Sequence, residues 1–307
     1  MFSNNKLRFS LVACLFSGIF LGTFSACKKD DPAPTAITVT SADISAQIKP
    51  GGNATFNDLD NALVTFPTEG ANQTWNYLDA KATSATPFTN NYLPIATNTN
   101  FGAATYMQDR PASLGAVSFT SRKDFYEVSA NGWYQLGGYI TAQTLNLPNN
   151  IVLKAEGTEE SFVAKDLLYK FPLTFGDTYT NNNSYIIENY KLTVPAFGLN
   201  QAPVTRKLTR TRTASVSGWG KLRLPGTTDA IDVLQIKLTQ GSTENYTLNG
   251  GPAPASLLTS LGLTEGSTTT TNSYVFISKT NQIVAEIVYK NANGANTITS
   301  GAYKVLP

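Results

Sequence analysis

Apolar and polar residues alternate with a period of two along much of this 307-residue chain. In residues 231–239, Leu234, Ile236 and Leu238 fall on one face, and polar side chains separate them. Every second position of residues 283–289 is likewise apolar, from Ile283 to Tyr289. Because successive side chains of a β-strand point to opposite faces of the sheet, this alternation predicts strands with one buried face. Residues 273–278 contain four apolar residues in succession, which predicts a strand that is covered on both faces.

Turn residues separate these apolar runs. Asn131-Gly132 lies between residues 124–130 and 133–140 and predicts a hairpin with a two-residue turn. Asn293-Gly294 and Asn249-Gly250-Gly251 predict two further turns. The chain therefore contains many strands that are joined by short connections.

Signals for helices are few. Residues 255–261 are the best candidate, because Pro254 suits the start of a helix, Gly262 suits its end, and Leu257, Leu258 and Leu261 share a face. Residues 163–169 form a weaker candidate of one or two turns. The pattern as a whole predicts an all-β fold with very little helix. We expect an antiparallel β-sandwich, and a strongly curved, half-open barrel is the alternative.

Residues 206–223 contain six basic residues and no acidic residue. If residues 204–216 form a strand, Arg206, Arg210 and Arg212 point to the same face. One interpretation is a binding site for an anion, such as a sulfated or acidic glycan or a lipid phosphate, because guanidinium groups bind oxyanions with two parallel hydrogen bonds. The alternative is an exposed face whose charges prevent pairing between sheet edges and are balanced by Asp and Glu from elsewhere in the chain.

The chain has three tryptophans, Trp75, Trp133 and Trp219. Large aromatic side chains usually lie in the core, and we expect this of Trp75. Trp133 and Trp219 each follow a glycine at a predicted turn, so we expect them to be more exposed. They are our candidates for stacking against the ring of a bound sugar, whereas a role in the core is the alternative.

The chain has no histidine and only two cysteines, Cys14 and Cys27. This composition excludes several kinds of chemistry. Catalytic triads that need histidine, zinc sites built on thiolate or imidazole, and haem ligated by His or Cys are all ruled out. Enzymes based on carboxylates remain possible, but the sequence identifies no catalytic pair. We therefore predict no cofactor, no metal site and no catalytic residue, and we lean towards a protein that is not an enzyme.

The N-terminal residues predict export and attachment to a membrane. Residues 1–8 are basic, residues 9–21 are apolar and too short for a spanning helix, and small residues precede Cys27. This order is typical of a lipoprotein signal, in which the cysteine is lipidated and begins the mature chain. We predict a cleaved signal peptide (residues 1–26), a lipidated Cys27 with a tether (residues 27–36), and a β domain (residues 37–307) with a possible division into two lobes near residues 90–101.

The residues after Cys27 predict the location of the protein. Lys29, Asp30 and Asp31 resemble the export tag, a lysine followed by acids, of surface lipoproteins from Bacteroidetes-type bacteria. The resemblance implies a lipoprotein of the outer membrane that is exposed on the cell surface, and the periplasmic face is the alternative. Loss of residues 1–26 removes Lys6 and Arg8, so 23 basic residues become 21 and equal the 21 acidic residues. A neutral chain gives no reason to expect binding to nucleic acid.

Three further stretches resemble a group of uncharacterised secreted and lipid-anchored proteins from Bacteroidetes-type bacteria. They are residues 70–77 (GANQTWNY), residues 171–177 (FPLTFGD) and residues 218–234, which begin GWGKLRLPG. The resemblance implies an all-β fold and a location in the cell envelope. It implies no activity, because none is assigned to that group.

These observations lead to a hypothesis about function. The anchor, the zero charge and a surface rich in Thr, Asn and Ser favour a non-catalytic surface protein that binds a ligand, with carbohydrate as the leading class. The alternatives are a structural or adhesive component that contacts envelope proteins, then a lipid carrier, then a hydrolase that uses carboxylates. The expected partners are the membrane, through the lipid anchor, and a glycan or an envelope protein.

Overall fold

Two β-sheets that pack face to face make up the protein in a computed structural model, which describes residues 35–83 and 87–306. The larger sheet has 12 strands and the smaller sheet has 4. Tyr126 from the smaller sheet and Leu234 and Ile236 from the larger sheet belong to one buried apolar cluster. The predicted all-β, sandwich-like fold is therefore confirmed.

The elements follow one another along the chain with short connections. In order they are α1 (Ser41–Gln47), β1 (Asn53–Asp58), β2 (Gly70–Asn76), β3 (Phe88–Asn91), β4 (Tyr106–Leu114), β5 (Val117–Ser129), β6 (Gly132–Ile140), β7 (Gln143–Leu147), β8 (Ile151–Ala155), β9 (Glu160–Lys170), β10 (Thr178–Val194), β11 (Leu199–Arg223), β12 (Ile231–Leu248), β13 (Gly251–Pro252), α2 (Ala255–Ser260), β14 (Ser267–Ser278), β15 (Gln282–Ala292) and β16 (Ala295–Lys304). Short 3₁₀ turns at Pro148–Asn150 and Pro195–Phe197 complete the list.

The larger sheet is open. Its strands run in the order β3-β1-β16-β15-β14-β12-β11-β10-β8-β7, with β13 beside β12 and β2 beside β11. The smaller sheet has the order β4-β5-β6-β9. Neighbouring strands are antiparallel, except that β2 runs parallel to β11. The two end strands of the larger sheet, β3 and β7, do not pair with each other, so this sheet does not close on itself.

The alternation of apolar residues identified the buried faces correctly. Leu234, Ile236 and Leu238 of β12 all face the smaller sheet and join the central cluster. In β14, Val275 lies in that cluster and Phe276 lies in a second cluster on the opposite face. The prediction of a strand covered on both faces is thus confirmed.

One residue departs from the predicted alternation in β15. Ala285, Ile287 and Tyr289 share the second cluster, but Ile283 packs against the central cluster on the other face. The pairing of β14 with β15 shifts register between Phe276 and Ile277. A β-bulge of this kind reverses the face on which the following side chains lie.

The predicted turns are confirmed, with a difference of one residue at two of them. Asn249 and Gly250 form the turn between β12 and β13, because Leu248 already pairs with Gly251. Ala292 pairs with Ala295, so Asn293 and Gly294 form a two-residue turn, and both have positive φ angles, 53° and 82°. The β5–β6 hairpin also has a two-residue turn. It is formed by residues 130–131, because Gly132 already pairs with Ser129 as the first residue of β6.

Of the two predicted helices, one exists. α2 covers Ala255–Ser260 of the predicted residues 255–261, with Leu261 as its C-cap, and buries Leu257 and Leu258 in a third apolar cluster. The prediction of helical turns at residues 163–169 is wrong, because this segment lies within β9 and pairs with β6. Pairing with a neighbouring strand overrides a weak local preference for helix.

A helix that the pattern analysis missed precedes β1. The side chain of Thr40 accepts a hydrogen bond from the backbone N–H of Asp43, whose carboxylate in turn accepts one from the N–H of Thr40. This reciprocal capping box begins α1, and Ile44 is its buried residue. The spacing of Thr40 and Asp43 was a visible signal for the start of this helix.

The described residues between 35 and 306 form one compact unit, which includes residues 90–101. Within the described residues, no helix has both the length and the apolar character needed to span a bilayer. The predicted signal peptide, Cys27, and the residues Lys29, Asp30 and Asp31 lie outside the described part of the chain. Cleavage, lipidation and surface export therefore stay predictions.

Candidate functional site

A cavity of about 330 Å³ lies between the two sheets. Strands of both sheets contribute to its wall: Tyr106, Gln108 and Arg110 come from β4, whereas Arg212 comes from β11 and Gln240 from β12. We call this space the central cavity. Its volume is at the lower end of the range of ~300–1,000 Å³ that is typical of small-molecule sites.

Aromatic side chains cover much of this cavity. Tyr92, Tyr106, Tyr126, Trp133 and Tyr169 all line it. Tyr106 and Tyr126 stack in parallel with their ring centroids 5.0 Å apart, and Tyr92 meets Tyr106 edge to face at 5.3 Å. These contacts hold the rings in fixed positions, so the cavity has a preformed aromatic wall.

Hydrogen bonds fix the polar ends of these rings. The indole Nε1 of Trp133 donates to the hydroxyl of Tyr106 at 2.9 Å. The hydroxyl of Tyr92 donates to Oε1 of Gln282 at 3.0 Å. Burial raises the pKa of Tyr92 to about 12 although its bond with Gln282 acts in the opposite direction, so the hydroxyl stays protonated at physiological pH. Burial and the charge of Asp124 likewise raise the pKa of Tyr126 to about 12.

The cavity also has a set of groups that form hydrogen bonds. Asn90 and Gln108 contribute amides that are only partly buried, and Arg110 contributes a guanidinium group whose side chain is 49% exposed. Glu286 is the single carboxyl among the described lining residues. Burial raises the pKa of Glu286, whereas a hydrogen bond with Ser273 and the charge of Arg212 act in the opposite direction. The wall therefore combines aromatic side chains with several donors and acceptors.

A network of buried ion pairs connects the sheets beside this cavity. It contains five arginines and four carboxylates: Arg110, Arg122, Arg206, Arg210 and Arg212, with Asp124, Asp166, Glu188 and Glu244. We call these nine residues the arginine network. Asp124, Asp166 and Glu188 are each at most 2% exposed, so the centre of the network is interior, whereas Arg110 at its edge is half exposed.

Two of the carboxylates illustrate how the network crosses the sandwich. Glu188 of β10 accepts hydrogen bonds from Arg122 of the smaller sheet and, at 2.9 Å, from Arg206 of the larger sheet. Asp166 of β9 pairs with Arg210 at 2.9 Å and with Arg212 at 3.3 Å. Each carboxylate thus links strands that are far apart in sequence.

The protonation of Glu188 follows from these contacts. Burial alone would raise its pKa, but the positive charges and hydrogen bonds of Arg122 and Arg206 outweigh this effect and lower the pKa to about 2. Glu160 lies nearby in a different environment, because Asn189 donates two hydrogen bonds to it and it makes no ion pair with an arginine in the described part of the chain. Burial raises the pKa of Glu160 to about 7.

The structure confirms the predicted face of β11 and corrects its environment. Arg206, Arg210 and Arg212 lie on the face of β11 that the smaller sheet covers. Asp166 of the smaller sheet pairs with Arg210 and Arg212, whereas Glu188 and Glu244 of the larger sheet pair with Arg206. The alternative to an anion site was an exposed face whose charges are balanced by Asp and Glu. The acidic partners exist, but the face is not exposed. The face is interior because the smaller sheet covers it, and Arg212 is only 5% exposed.

The tryptophans need a similar correction. Trp75 is buried as expected. Trp133, which we expected to be more exposed, is only 6% exposed and lies in the wall of the central cavity with Arg212. Its position beside a turn did not expose it, because the larger sheet packs over that end of β6. Trp219 is partly buried against the central apolar cluster and does not line the cavity.

Most residues of the site had no recognisable signal in the sequence. The strongest overlooked signal lies in β5, where Arg122 and Asp124 alternate towards the same face as the apolar Tyr126 and Val128. Charged residues on the apolar face of a strand indicate a buried polar network. The tyrosines and glutamines of the cavity carried no comparable signal, because they are brought together only by the packing of the sheets.

The chain matches no family model, no curated protein and no solved structure. The site is therefore interpreted from its own geometry. That geometry defines an all-β sandwich with a preformed, aromatic and polar cavity between its sheets.

Proposed function

We propose that this protein is a lipid-anchored protein of the outer membrane or cell surface that binds a carbohydrate without chemical conversion. The central cavity carries this proposal, because it places aromatic side chains beside amide, hydroxyl and guanidinium groups. Sugars present apolar C–H faces and a rim of hydroxyl groups, so they need this combination of ring faces and hydrogen-bonding partners. The size of the cavity suits a ligand with dimensions similar to those of a monosaccharide.

The same lining argues against two of the other functions that the sequence left open, a lipid carrier and a hydrolase. Asn90, Gln108, Gln240 and two arginines would be poor neighbours for an acyl chain, which disfavours a lipid carrier. Glycoside hydrolysis by the usual route needs two facing carboxyls, and Glu286 is the only carboxyl on the described wall of the cavity. Binding without catalysis is the function that fits these groups best.

Trp133 provides a direct measurement of binding in this cavity. We expect titration with a panel of neutral mono- and oligosaccharides to change the tryptophan fluorescence in a saturable way, because Trp133 lies in the cavity wall. The change should disappear in Trp133→Phe and persist in Trp219→Phe, since Trp219 lies outside the cavity. Calorimetry on the same panel should give the same affinities, and mass spectrometry should recover the sugar unchanged.

The contribution of the polar wall can be measured with a second pair of variants. Gln108→Ala should weaken binding about 3- to 10-fold, which corresponds to the loss of a typical hydrogen bond. Asn146→Ala is the matched control, because Asn146 is an exposed strand residue outside the cavity. Equal affinities for Gln108→Ala and the wild type, or no calorimetric signal with any sugar class, would contradict the proposal.

The proposed anchor is tested separately. Cys27→Ala should abolish labelling by an alkyne fatty acid and release the protein from the membrane fraction, whereas Cys14→Ala should change neither result. Replacement of Lys29, Asp30 and Asp31 by alanine should leave lipidation intact but protect the protein from protease added to whole cells. Continued labelling of Cys27→Ala would refute the lipid anchor, and unchanged protease sensitivity of the triple variant would refute the export tag.

A further inference from the structure

One charged group in the wall of the central cavity forms no ion pair. Glu286 lies in β15, and its cross-strand neighbours are Val275 of β14 and Ala302 of β16. Val275 belongs to the central apolar cluster, so Glu286 points to the interior face of the larger sheet. Glu286 is partly exposed and lines the central cavity, so its exposed surface faces that space. Among the described residues, no lysine or arginine pairs with its carboxylate.

The two arginines of the described wall already have acidic partners. Arg110 donates from Nε and Nη2 to Oδ2 of Asp124, at 2.8 and 2.7 Å. Arg212 pairs with Asp166 at 3.3 Å. The positive charge of Arg212 also acts on Glu286, where it opposes the rise in pKa that burial causes. Glu286 therefore has a positive charge in its surroundings but no cation in direct contact with its oxygens.

Other acceptor oxygens of the wall are used within the protein. The side-chain oxygen of Gln240 accepts a hydrogen bond from Arg212 at 2.6 Å, and that of Gln282 accepts one from the hydroxyl of Tyr92 at 3.0 Å. A carboxylate has two oxygens and about four acceptor sites. A charged acceptor that is mostly removed from bulk water needs donors for these sites. Glu286 is thus the strongest acceptor that the described wall offers to a ligand.

We propose that the central cavity binds a neutral sugar with two adjacent free hydroxyl groups, which donate hydrogen bonds to the two oxygens of Glu286. Hydroxyls on neighbouring ring carbons match the spacing of the two oxygens of one carboxylate, and hydrogen bonds to a charged acceptor are the stronger kind. Hydroxyl groups suit Glu286 better than an ammonium group does, because Arg212 already supplies a positive charge nearby. The proposal rests on the carbohydrate-binding function proposed above and adds the group that selects the ligand.

The first experiment uses the purified full-length protein in detergent at pH 8, because burial raises the pKa of Glu286. Calorimetry with glucose, galactose and mannose identifies the sugar that the wild type binds most tightly. Glu286→Gln keeps the size of the side chain but removes its charge and one acceptor oxygen, so it should weaken binding of that sugar about tenfold or more. Glu156→Gln makes the same change at an exposed position outside the cavity and should bind as the wild type does. Equal affinities of Glu286→Gln and the wild type would overturn the proposal.

The second experiment identifies the hydroxyl groups that contact Glu286. Monodeoxy analogues of the same sugar lack one hydroxyl each, and two analogues with neighbouring positions removed should bind the wild type about tenfold more weakly than the parent sugar. The same two analogues should lose much less affinity for Glu286→Gln, because the charged partner of the missing hydroxyl is absent there. If every deoxy analogue loses the same factor in both proteins, the hydroxyl groups bind elsewhere and the proposal is overturned.

Further measurements separate this proposal from its alternatives. If Glu286→Gln does not fold, Glu286→Asp replaces it, because it keeps the charge but withdraws the carboxylate by one methylene group, and it should weaken binding about threefold or more. Tighter binding of glucosamine than of glucose by the wild type would overturn the choice of hydroxyl groups in favour of an ammonium group. Absence of binding by every sugar would overturn the carbohydrate-binding function and this proposal with it. Sugar binding that is insensitive to both Glu286 variants would overturn this proposal alone.

Discussion

Glu188→Gln is expected to lower the free energy of unfolding by about 3–5 kcal/mol, the usual effect of removing one partner from a buried ion pair. The carboxylate of Glu188 is 2% exposed and balances Arg122 and Arg206, which are themselves largely buried. Glutamine keeps the shape of the side chain but removes the counter-charge that the two guanidinium groups share, so Arg122 retains only Asp124 and Arg206 retains only Glu244. Urea denaturation at pH 7, followed by circular dichroism, measures the change.

The pH dependence identifies the charge as the cause. The pKa of Glu188 falls from its ordinary value of 4.5 to about 2 on folding. Its stabilising contribution is therefore complete above pH 4.5 and is lost as the pH falls from 4.5 towards 2. The wild type should lose stability as the pH falls through this window, and Glu188→Gln should lose much less. The difference in the free energy of unfolding between the two proteins should therefore become smaller.

Two comparisons test whether the charge of Glu188 causes this pH dependence. Glu160 has the opposite effect on the pH dependence of stability. Its pKa is raised to about 7, so its contribution lowers the stability as the pH rises from 4.5 to 7. This effect falls between pH 4.5 and 7 and so lies outside the pH window of Glu188, although the charge of Glu188 contributes to the raised pKa of Glu160. Glu156→Gln is the matched control, since Glu156 forms only partly exposed pairs with Lys154 and Lys191, and it should change stability much less. Similar losses for Glu156→Gln and Glu188→Gln would show that the buried network contributes little.

Gly220→Ala is expected to destabilise the protein by about 1–3 kcal/mol or more, because there is no space for a side chain at this position. A Cβ atom on Gly220 would lie 1.9 Å from the carbonyl oxygen of Gln73 and 2.6 Å from its nitrogen. Both atoms belong to the backbone of β2, so the strand itself would have to move away from β11. Trp75 of β2, a core residue of the second apolar cluster, would move with it.

Urea denaturation with hydrogen exchange measures this effect. We expect a lower unfolding midpoint and faster exchange of the β2 amides that pair with β11 than in the wild type. Gly102→Ala is the control, because nothing lies within 4 Å of a Cβ atom at that position. If both variants unfold at the same urea concentration, the close approach of β2 to Gly220 is not a constraint on the fold.

Alternation in β11 shows how far local pattern analysis reaches. It correctly placed Arg206, Arg210 and Arg212 on one face, because the two-residue period of a strand depends only on its own backbone. It could not supply their partners: Asp166 and Glu188 lie on other strands, and Glu188 is shared with Arg122 of the smaller sheet. Those contacts exist because the two sheets pack together.

Trp133 shows the limit of judging exposure from a neighbouring turn. The turn was predicted well, since its two-residue geometry depends on local backbone angles. The environment of the Trp133 side chain was not predicted, because its burial depends on the larger sheet, whose strands come mostly from later in the chain. The helical prediction for residues 163–169 failed for the same reason, since pairing with β6 decided that this segment is a strand.

The sequence by itself determined the all-β class, most turns, helix α2 and the buried faces of β12 and β14. These features depend on interactions between residues close in the chain, such as side-chain alternation and turn geometry. Only the tertiary structure decided that Trp133 and Arg212 share a cavity, and that Arg122 and Arg206 share Glu188. Such contacts join strands from distant parts of the chain, and they are set by sheet order and by the packing of one sheet on the other.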